Sequence, residues 1–291
     1  MKYSLVALQI VVLIAASPFI TGLIKKIKNF IRLRKGPGVF QPYYDLAKLA
    51  GKEEVISRDT SWIFVFAPYA VIGSVTAALL LVPAFGPGIS LNRAGDLVAM
   101  IFILAFGRFF MALAGLDAGS AFGGMGSSRE MFISSLVEPV ALLSVFAVSL
   151  NCGSTDAQAV VSSGTFRLST LVATGGLFAV TIAETSRIPV DNRETHLELT
   201  MIHEAMVLEY SGRSLALIEL ASHIKQVLFF SVIAAVAVPF GNYAVKMLAI
   251  SAMVAVLEVS MAKMRLFRAV DMMSFSFVLS VIAVVISAMG Y

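Results

Sequence analysis

The stretch AETSRIPVDNRETHLELTMIHEAMVLEYSG, residues 183–212, gathers six carboxylates: Glu184, Asp191, Glu194, Glu198, Glu204 and Glu209. Only Arg187 and Arg193 stand against them, with His196 and His203 able to titrate near neutrality. Acids crowded in this way suit proton transfer. Like charges and desolvation both disfavour ionisation and raise a carboxyl toward neutral pH. Two unit charges about 4 Å apart interact by about 4 kcal/mol at an effective dielectric of about 20, which is roughly three pKa units. A small displacement of one charge therefore loads or unloads its neighbour with a proton.

The same chemistry recurs inside apolar segments. Glu130, Ser134 and Glu138 are spaced by four and share a helical face. Glu219, Ser222, His223 and Gln226 fall on one narrow stripe, while Lys225 points away from it toward another helix. Glu258 has Ser251 seven residues before it and Arg265 seven after, and Arg108 is the one charge in its run. A charge at the bilayer centre costs about 2.5–3.5 kcal/mol on insertion scales, so each needs a partner, water or a function. Arg108, Glu130, Glu138, Glu219, His223, Lys225 and Glu258 together read as a hydrated intramembrane proton path. The competing reading is ion pairs that only fix helix packing, such as Arg108 or Lys225 with Glu138 or Glu258.

Other chemistries lack their residues. One cysteine, Cys152, and three histidines cannot hold an Fe–S cluster, a Cys-rich zinc site or a set of haems. His196 and His203, seven apart with Glu204 adjacent, lack the further ligands of a metal site and suit proton relay or hydrogen bonding. GLDAGSAFGGMGSS, 115–128, is glycine-rich but follows an apolar span and has no phosphate-binding lysine; it reads as a turn or partner-binding loop. No catalytic motif occurs. No catalytic residue, metal, cofactor or nucleic-acid site is expected in this chain.

The elements that must position these groups are membrane helices. The chain is 58% hydrophobic and 14% charged, with mean hydropathy +0.89, against about 25% charged residues in a soluble domain. A helix crossing a bilayer needs about 20 apolar residues. Runs of that kind are found at 3–24, 60–92 (broken by the turn at 83–88), 97–115, 131–155, 168–183, 215–239, 244–262 and 272–291. The fold class is all-α, a polytopic single membrane domain over 1–291 with about eight spans. The first run is too long for a signal peptide and is followed at once by lysines, so it reads as a retained helix.

Sixteen Lys and Arg residues fall in the odd-numbered loops, against Lys2, Arg93, Arg167 and Lys246 on the other side. The positive-inside rule then places both termini outside and the acidic stretch, taken as 184–214, in the cytoplasm. The first cytoplasmic loop, 25–59, carries the basic block KKIKNFIRLRK, suited to anionic lipid. In it, QPYYDLAKLAGK puts Tyr43, Leu46, Ala47 and Ala50 on one face and Asp45, Lys48 and Lys52 away, an amphipathic helix for the interface.

At this point the residues resemble a known family. AETSRIPVDNRETHLEL and LEYSG look like the signature loop of the quinone-chamber membrane subunit of respiratory complex I, whose pattern runs E-T-x-R-x-P-F-D, an acidic helix, then E-Y-S-G. Glu184, Thr185, Arg187, Pro189, Asp191, Glu194, Glu198, Glu209, Tyr210, Ser211 and Gly212 match it. RKGPGVFQPYYDLAKL, from Arg34, is similar to that family's R-x-G-P-x-x-x-Q-P-x-x-D segment. Departures point to one branch. Val190 replaces the usual Phe, His196 replaces an acid, and the loop is about three residues longer around 202–205. GLDAGSAFGGMGSSREM with VEP, and THLELTMIHEAMVLEYSG, resemble the corresponding subunit of formate hydrogenlyase and other group 4 membrane-bound NiFe hydrogenases.

The resemblance implies a membrane subunit in the cytoplasmic membrane of a prokaryote, beneath an arm whose Fe–S clusters and NiFe centre belong to partner subunits. Its partners would be the hydrogenase large and small subunits and antiporter-like membrane subunits. The coupling loop would be Glu184, Arg187, Asp191, Glu194, His196, Glu198, His203, Glu204 and Glu209. Three other readings stay open: a quinone-site subunit of a complex I-like dehydrogenase, a stand-alone ion transporter, and a passive anchor.

Overall fold

Backbone polar groups in lipid must be satisfied within the segment, and helices do this by themselves. The computed structural model describes residues 2–57, 59–83, 95–163, 167–192, 201–237 and 241–290. Arg193, Glu194, His196 and Glu198 of the acidic stretch lie outside the described residues. The helices are α1 Lys2–Ile31, α2 Gln41–Ala50, α3 Trp62–Leu81, α4 Leu97–Asp117, α5 Ala121–Cys152, α6 Ala157–Ser163, α7 Leu168–Glu184, α8 His203–Val207, α9 Gly212–Ala237, α10 Tyr243–Ser260 and α11 Leu266–Ala288. Among the described residues there is no strand beyond one isolated bridge, Asp96 to Asp156.

Among the described residues, seven helices, α1, α3, α4, α5, α9, α10 and α11, are long and apolar enough to cross a membrane. Against the reading of about eight spans stand these seven and a shorter apolar helix, α7, which ends after 17 residues at Glu184. That is the lower limit of a spanning length. α9 is the central post: Ile224, Leu228 and Phe230 have no exposed surface, and α1, α2, α3, α7 and α10 all pack on it. Lipid-facing positions stay apolar, as with Phe102, Phe106 and Phe109 of α4. α5, α7 and α11 meet closely where Gly176 faces Ser144 and Ser280; a Cβ there would lie 2.5 Å from the Ser280 hydroxyl. The two serines are themselves hydrogen-bonded at 2.8 Å.

A proline inside α1 shapes the end of that helix nearest the first loop. A helical proline leaves the carbonyl four residues earlier without its N–H partner. For Pro18 of α1 that is Ile14, whose carbonyl accepts from Ser17 Oγ at 2.8 Å. Next to it, the Tyr43 hydroxyl of α2 donates to the Ala15 carbonyl at 2.5 Å. α2 is a helix where the first loop was expected to hold one, but its inward face is Pro42, Tyr43, Leu46 and Leu49, with Ala47 and Ala50 exposed. It packs on α1 and α9, which turns the helix from the purely amphipathic register. The basic block also begins earlier in helix than its charge suggests, since α1 runs through Lys25, Lys26 and Lys28 to Ile31.

The glycine-rich stretch is not a loop. After a short turn at 118–120, α5 starts at Ala121 with Ser120 as its N-cap, the side chain accepting from the Gly123 amide at 3.1 Å. Its glycines serve packing: a Cβ on Gly126 would sit 2.9 Å from the Ala205 Cβ and 3.0 Å from the Met206 nitrogen of α8. The HEAM segment can lie this close to α5 because Gly126 has no side chain.

Candidate functional site

The end of α7 divides the buried charges into two networks. Glu184, its last residue, accepts from Arg108 of α4 and lies 2.5 Å from the Lys225 ammonium of α9. The other arm of the Arg108 guanidinium reaches Glu138 of α5 at 3.0 Å. Glu184 and Arg108 are nearly shielded, with side chains 5% and 7% exposed, whereas Glu138 is 38% exposed. Glu130 and His203 line a 50 Å³ cavity beside Arg108, Glu184 and Lys225. Of the residues expected from sequence to form an intramembrane path, Arg108, Glu130, Glu138 and Lys225 are therefore gathered in one place, together with Glu184 from the acidic stretch.

The second network centres on Glu258 of α10. Its carboxylate accepts from Arg187 at 2.6 Å and from Lys28 of α1 at 3.3 Å. Arg187 also donates to Gln226 Oε1 at 2.7 Å, and the same oxygen accepts from Thr21 Oγ1 at 3.0 Å. Thr21 Oγ1 is 3.1 Å from His223 Nδ1. These side chains border a 240 Å³ cavity that Lys25, Ser186, Glu204, Glu219 and Ser222 also line. A polar cavity has room for water once it exceeds roughly 10–15 Å³, so this vestibule is large enough to take several. The α9 stripe expected from spacing, Glu219, Ser222, His223 and Gln226, faces it as a unit, and Lys225 faces the other cavity. Glu258 pairs with Lys28 and Arg187, not with Arg265, which lies beyond the end of α10 and is exposed.

Local geometry explains how one turn serves both networks. α7 stops at Glu184, and Ser186 takes φ +50, a left-handed conformation uncommon for a residue with a side chain. The Arg187 amide reaches back to the Ile182 carbonyl at 3.0 Å. The chain then leaves the helix with Glu184 and Arg187 on opposite sides, and continues through a cis Ile188–Pro189 bond.

Asp191 closes the turn. It is 1% exposed and accepts from Lys263 at 2.8 Å and from the Ile202 and His203 amides at 3.1 and 3.2 Å, holding the first turn of α8. His203 and Glu204, adjacent in sequence, face different cavities: His203 the smaller, Glu204 the larger. Glu209 is exposed and lines neither.

The end of the stretch is a clasp. Pro68 of α3 leaves the Phe64 carbonyl without a helical partner, and Tyr210 Oη donates to it at 2.9 Å. The two rings stack with centroids 4.0 Å apart. Burial, and then the nearby Asp117 and Glu54 carboxylates, push the Tyr210 phenol well above its usual range, so it remains a donor. Ser211 Oγ exchanges hydrogen bonds with the Val55 amide and carbonyl at 2.8 and 3.1 Å. Gly212, at φ +52, passes so close that a Cβ would lie 2.6 Å from the Glu53 carbonyl. Tyr210, Ser211 and Gly212 thus bind the acidic stretch to the first loop.

Sequence reasoning passed over Lys28, taken only as part of a basic block, and Thr21. They are seven residues apart on α1, a spacing that already places them on one face. Among the described residues no group of three or more His, Cys, Asp or Glu side chains is arranged to hold a metal ion.

Comparison with known proteins agrees with this architecture. Residues 3–288 match the family model described as NADH dehydrogenase. Hydrogenase-4 component C of Escherichia coli (strain K12) is 34% identical over 238 residues, spanning 80% of this chain and 75% of that one. Formate hydrogenlyase subunit 4 of the same organism is 30% identical over 240 residues, 81% of this chain and 77% of that one. A chain of the membrane-bound sulfane sulfur reductase, an archaeal respiratory membrane complex, superposes with a TM-score of 0.85 at 19% identity, covering 98% of this chain and 99% of its own. With the match running nearly end to end, the chain belongs to the NADH dehydrogenase family, as a multi-pass helical membrane member of it.

Proposed function

We propose that this chain is the subunit of a group 4 NiFe hydrogenase of the formate hydrogenlyase type that couples redox chemistry in a cytoplasmic arm to proton movement in the membrane. The observation that carries this reading is the pair of charge networks joined by the end of α7. Glu184 and Arg187 are three residues apart, yet one is bound into Arg108 and Lys225 and the other into Glu258 and Gln226. The likeness to hydrogenase-4 component C and formate hydrogenlyase subunit 4 supports the hydrogenase branch.

In this reading α7 is an eighth span, both termini face outside, and residues 184–214 lie against the arm in the cytoplasm of a prokaryote. Large and small hydrogenase subunits dock there, and antiporter-like subunits lie alongside. Turnover in the arm displaces the acidic stretch and draws Arg187 from Glu258. Glu258 then takes a proton from the vestibule, where Glu204, Glu219 and His223 deliver it. The same displacement shifts Glu184 between Arg108 and Lys225. Because charges a few ångströms apart are coupled by several kcal/mol, this changes the protonation of Glu130 and Glu138. Residues 25–59 form the floor to which the stretch is clasped.

Affinity purification of the tagged chain from native membranes tests membership. The expected result is co-purification with nickel- and iron-containing subunits, and proton movement in liposomes only while hydrogen is evolved. Proton movement by the chain alone would make it a stand-alone transporter. Reduction of a quinone analogue without hydrogen evolution would make it a quinone-site subunit.

A further inference from the structure

A second large concavity lies apart from the charge networks. It is a 610 Å³ groove with α9 as its floor and α7 and α10 as its walls. Ala234 and Ala237 of the floor keep it deep, and Phe178, Val245 and Met253 line its sides. Val245 and Met253 are 63% and 50% exposed, so the groove opens sideways, toward lipid in a membrane. Its volume falls within the roughly 300–1,000 Å³ of small-molecule sites. The wall from Asn242 to Met253 of α10 rises about 16 Å at 1.5 Å per residue. That is about half of a bilayer core of roughly 30 Å, the depth of one leaflet.

The lining holds a single charge, Lys246, in the first turn of α10 beside Asn242. Lys246 Nζ donates to the Ala234 carbonyl at 3.3 Å, in the last turn of α9, where carbonyls lack helical partners. This bond holds the ammonium at one end of an apolar slot, where its positive charge can attract a phosphate.

We propose that the groove binds one anionic phospholipid, with an acyl chain along α10 and the phosphate on Lys246 and Asn242. The cation at the end and the leaflet-deep apolar wall match an amphiphile whose charge is at its head. This site is independent of the coupling reading and stands or falls without it.

The test is native mass spectrometry of the purified membrane assembly after exchange into nanodiscs of phosphatidylcholine with a minority of phosphatidylglycerol. The wild type is expected to retain one phosphatidylglycerol. Lys246→Gln is expected to lower its occupancy relative to phosphatidylcholine about fivefold, the effect of one basic residue at a membrane surface. Gly175 lines the groove, and a Cβ there meets no atom within 4 Å, so Gly175→Leu can fill it without a backbone clash. That variant is expected to lose the lipid. Should a variant not assemble, photoreactive phosphatidylglycerol added to the wild type reads the site directly, with labelling expected on peptides spanning 241–253. Equal retention in all variants, uniform labelling of lipid-facing helices, or crosslinks from Val245 to a partner subunit's helix would each overturn the proposal.

Discussion

Glu184 and Arg187 stand three residues apart at the end of α7 and bind into different charge networks, Glu184 with Arg108 and Lys225, Arg187 with Glu258. On α9 the adjacent residues Lys225 and Gln226 repeat the division, Lys225 on Glu184 and Gln226 on Arg187. The two networks thus share two backbone segments, the end of α7 and one turn of α9. Two short stretches, 184–187 and 225–226, therefore set the relation between the vestibule and the smaller cavity.

Removing the anion of the second network leaves two buried cations. Glu258→Gln strips the partner from Arg187 and Lys28, whose side chains are 14% and 5% exposed. Loss of one member of a buried pair costs about 3–5 kcal/mol. The expected outcome is a clear drop in assembled complex and in its thermal midpoint, partly restored when Lys28→Met is added. Unchanged stability in Glu258→Gln would contradict the pairing.

The clasp at Tyr210 exists to serve a carbonyl that Pro68 frees. Tyr210→Phe should then cost about 1–3 kcal/mol, the range for leaving a buried acceptor unmet. In a Pro68→Ala background, residue 68 regains an N–H for Phe64, and the same substitution should cost much less. A double-mutant cycle on thermal stability in detergent reads this coupling. Additive effects would show that the hydroxyl and the proline act separately.

α5 contains a matched pair of glycines. A side chain on Gly126 collides with Ala205 and Met206 of α8, whereas a Cβ on Gly124 meets nothing within 4 Å. Gly126→Val is expected to displace α8 and reduce assembled complex severalfold by immunoblot. Gly124→Ala should be neutral, or stabilising by roughly 0.5–1 kcal/mol as in other helices. Equal effects would argue against the packing of HEAM on α5.

What could be read from sequence followed helical periodicity. The α9 stripe was legible because residues three and four apart share a face, and Lys225 was legible as the exception. The partners were not. Lys28 and Glu258 lie on the first and tenth helices, and only tertiary packing brings them together. Asp191 looked like one more acid of a proton-handling loop, yet it also holds the α8 amides, a capping role that depends on a chain reversal the sequence does not announce. The glycine-rich start of α5 read as a turn because glycine is a poor helix former; contact with α8 overrides that preference. The two segments that suggested the hydrogenase branch, GLDAGSAFGGMGSS and HEAM, prove to be in contact, as one packing unit.

The most direct test compares Glu184→Gln with Glu209→Gln in inverted membrane vesicles, recording proton uptake against hydrogen evolved. Glu184 is held between Arg108 and Lys225 at the junction of the networks, while Glu209 is exposed and lines neither cavity. The expected result is that Glu209→Gln keeps the wild-type ratio of protons moved per hydrogen, and Glu184→Gln, at matched amounts of assembled complex, loses most of it. An undiminished ratio in Glu184→Gln would make the buried charges a packing device and the subunit a passive anchor.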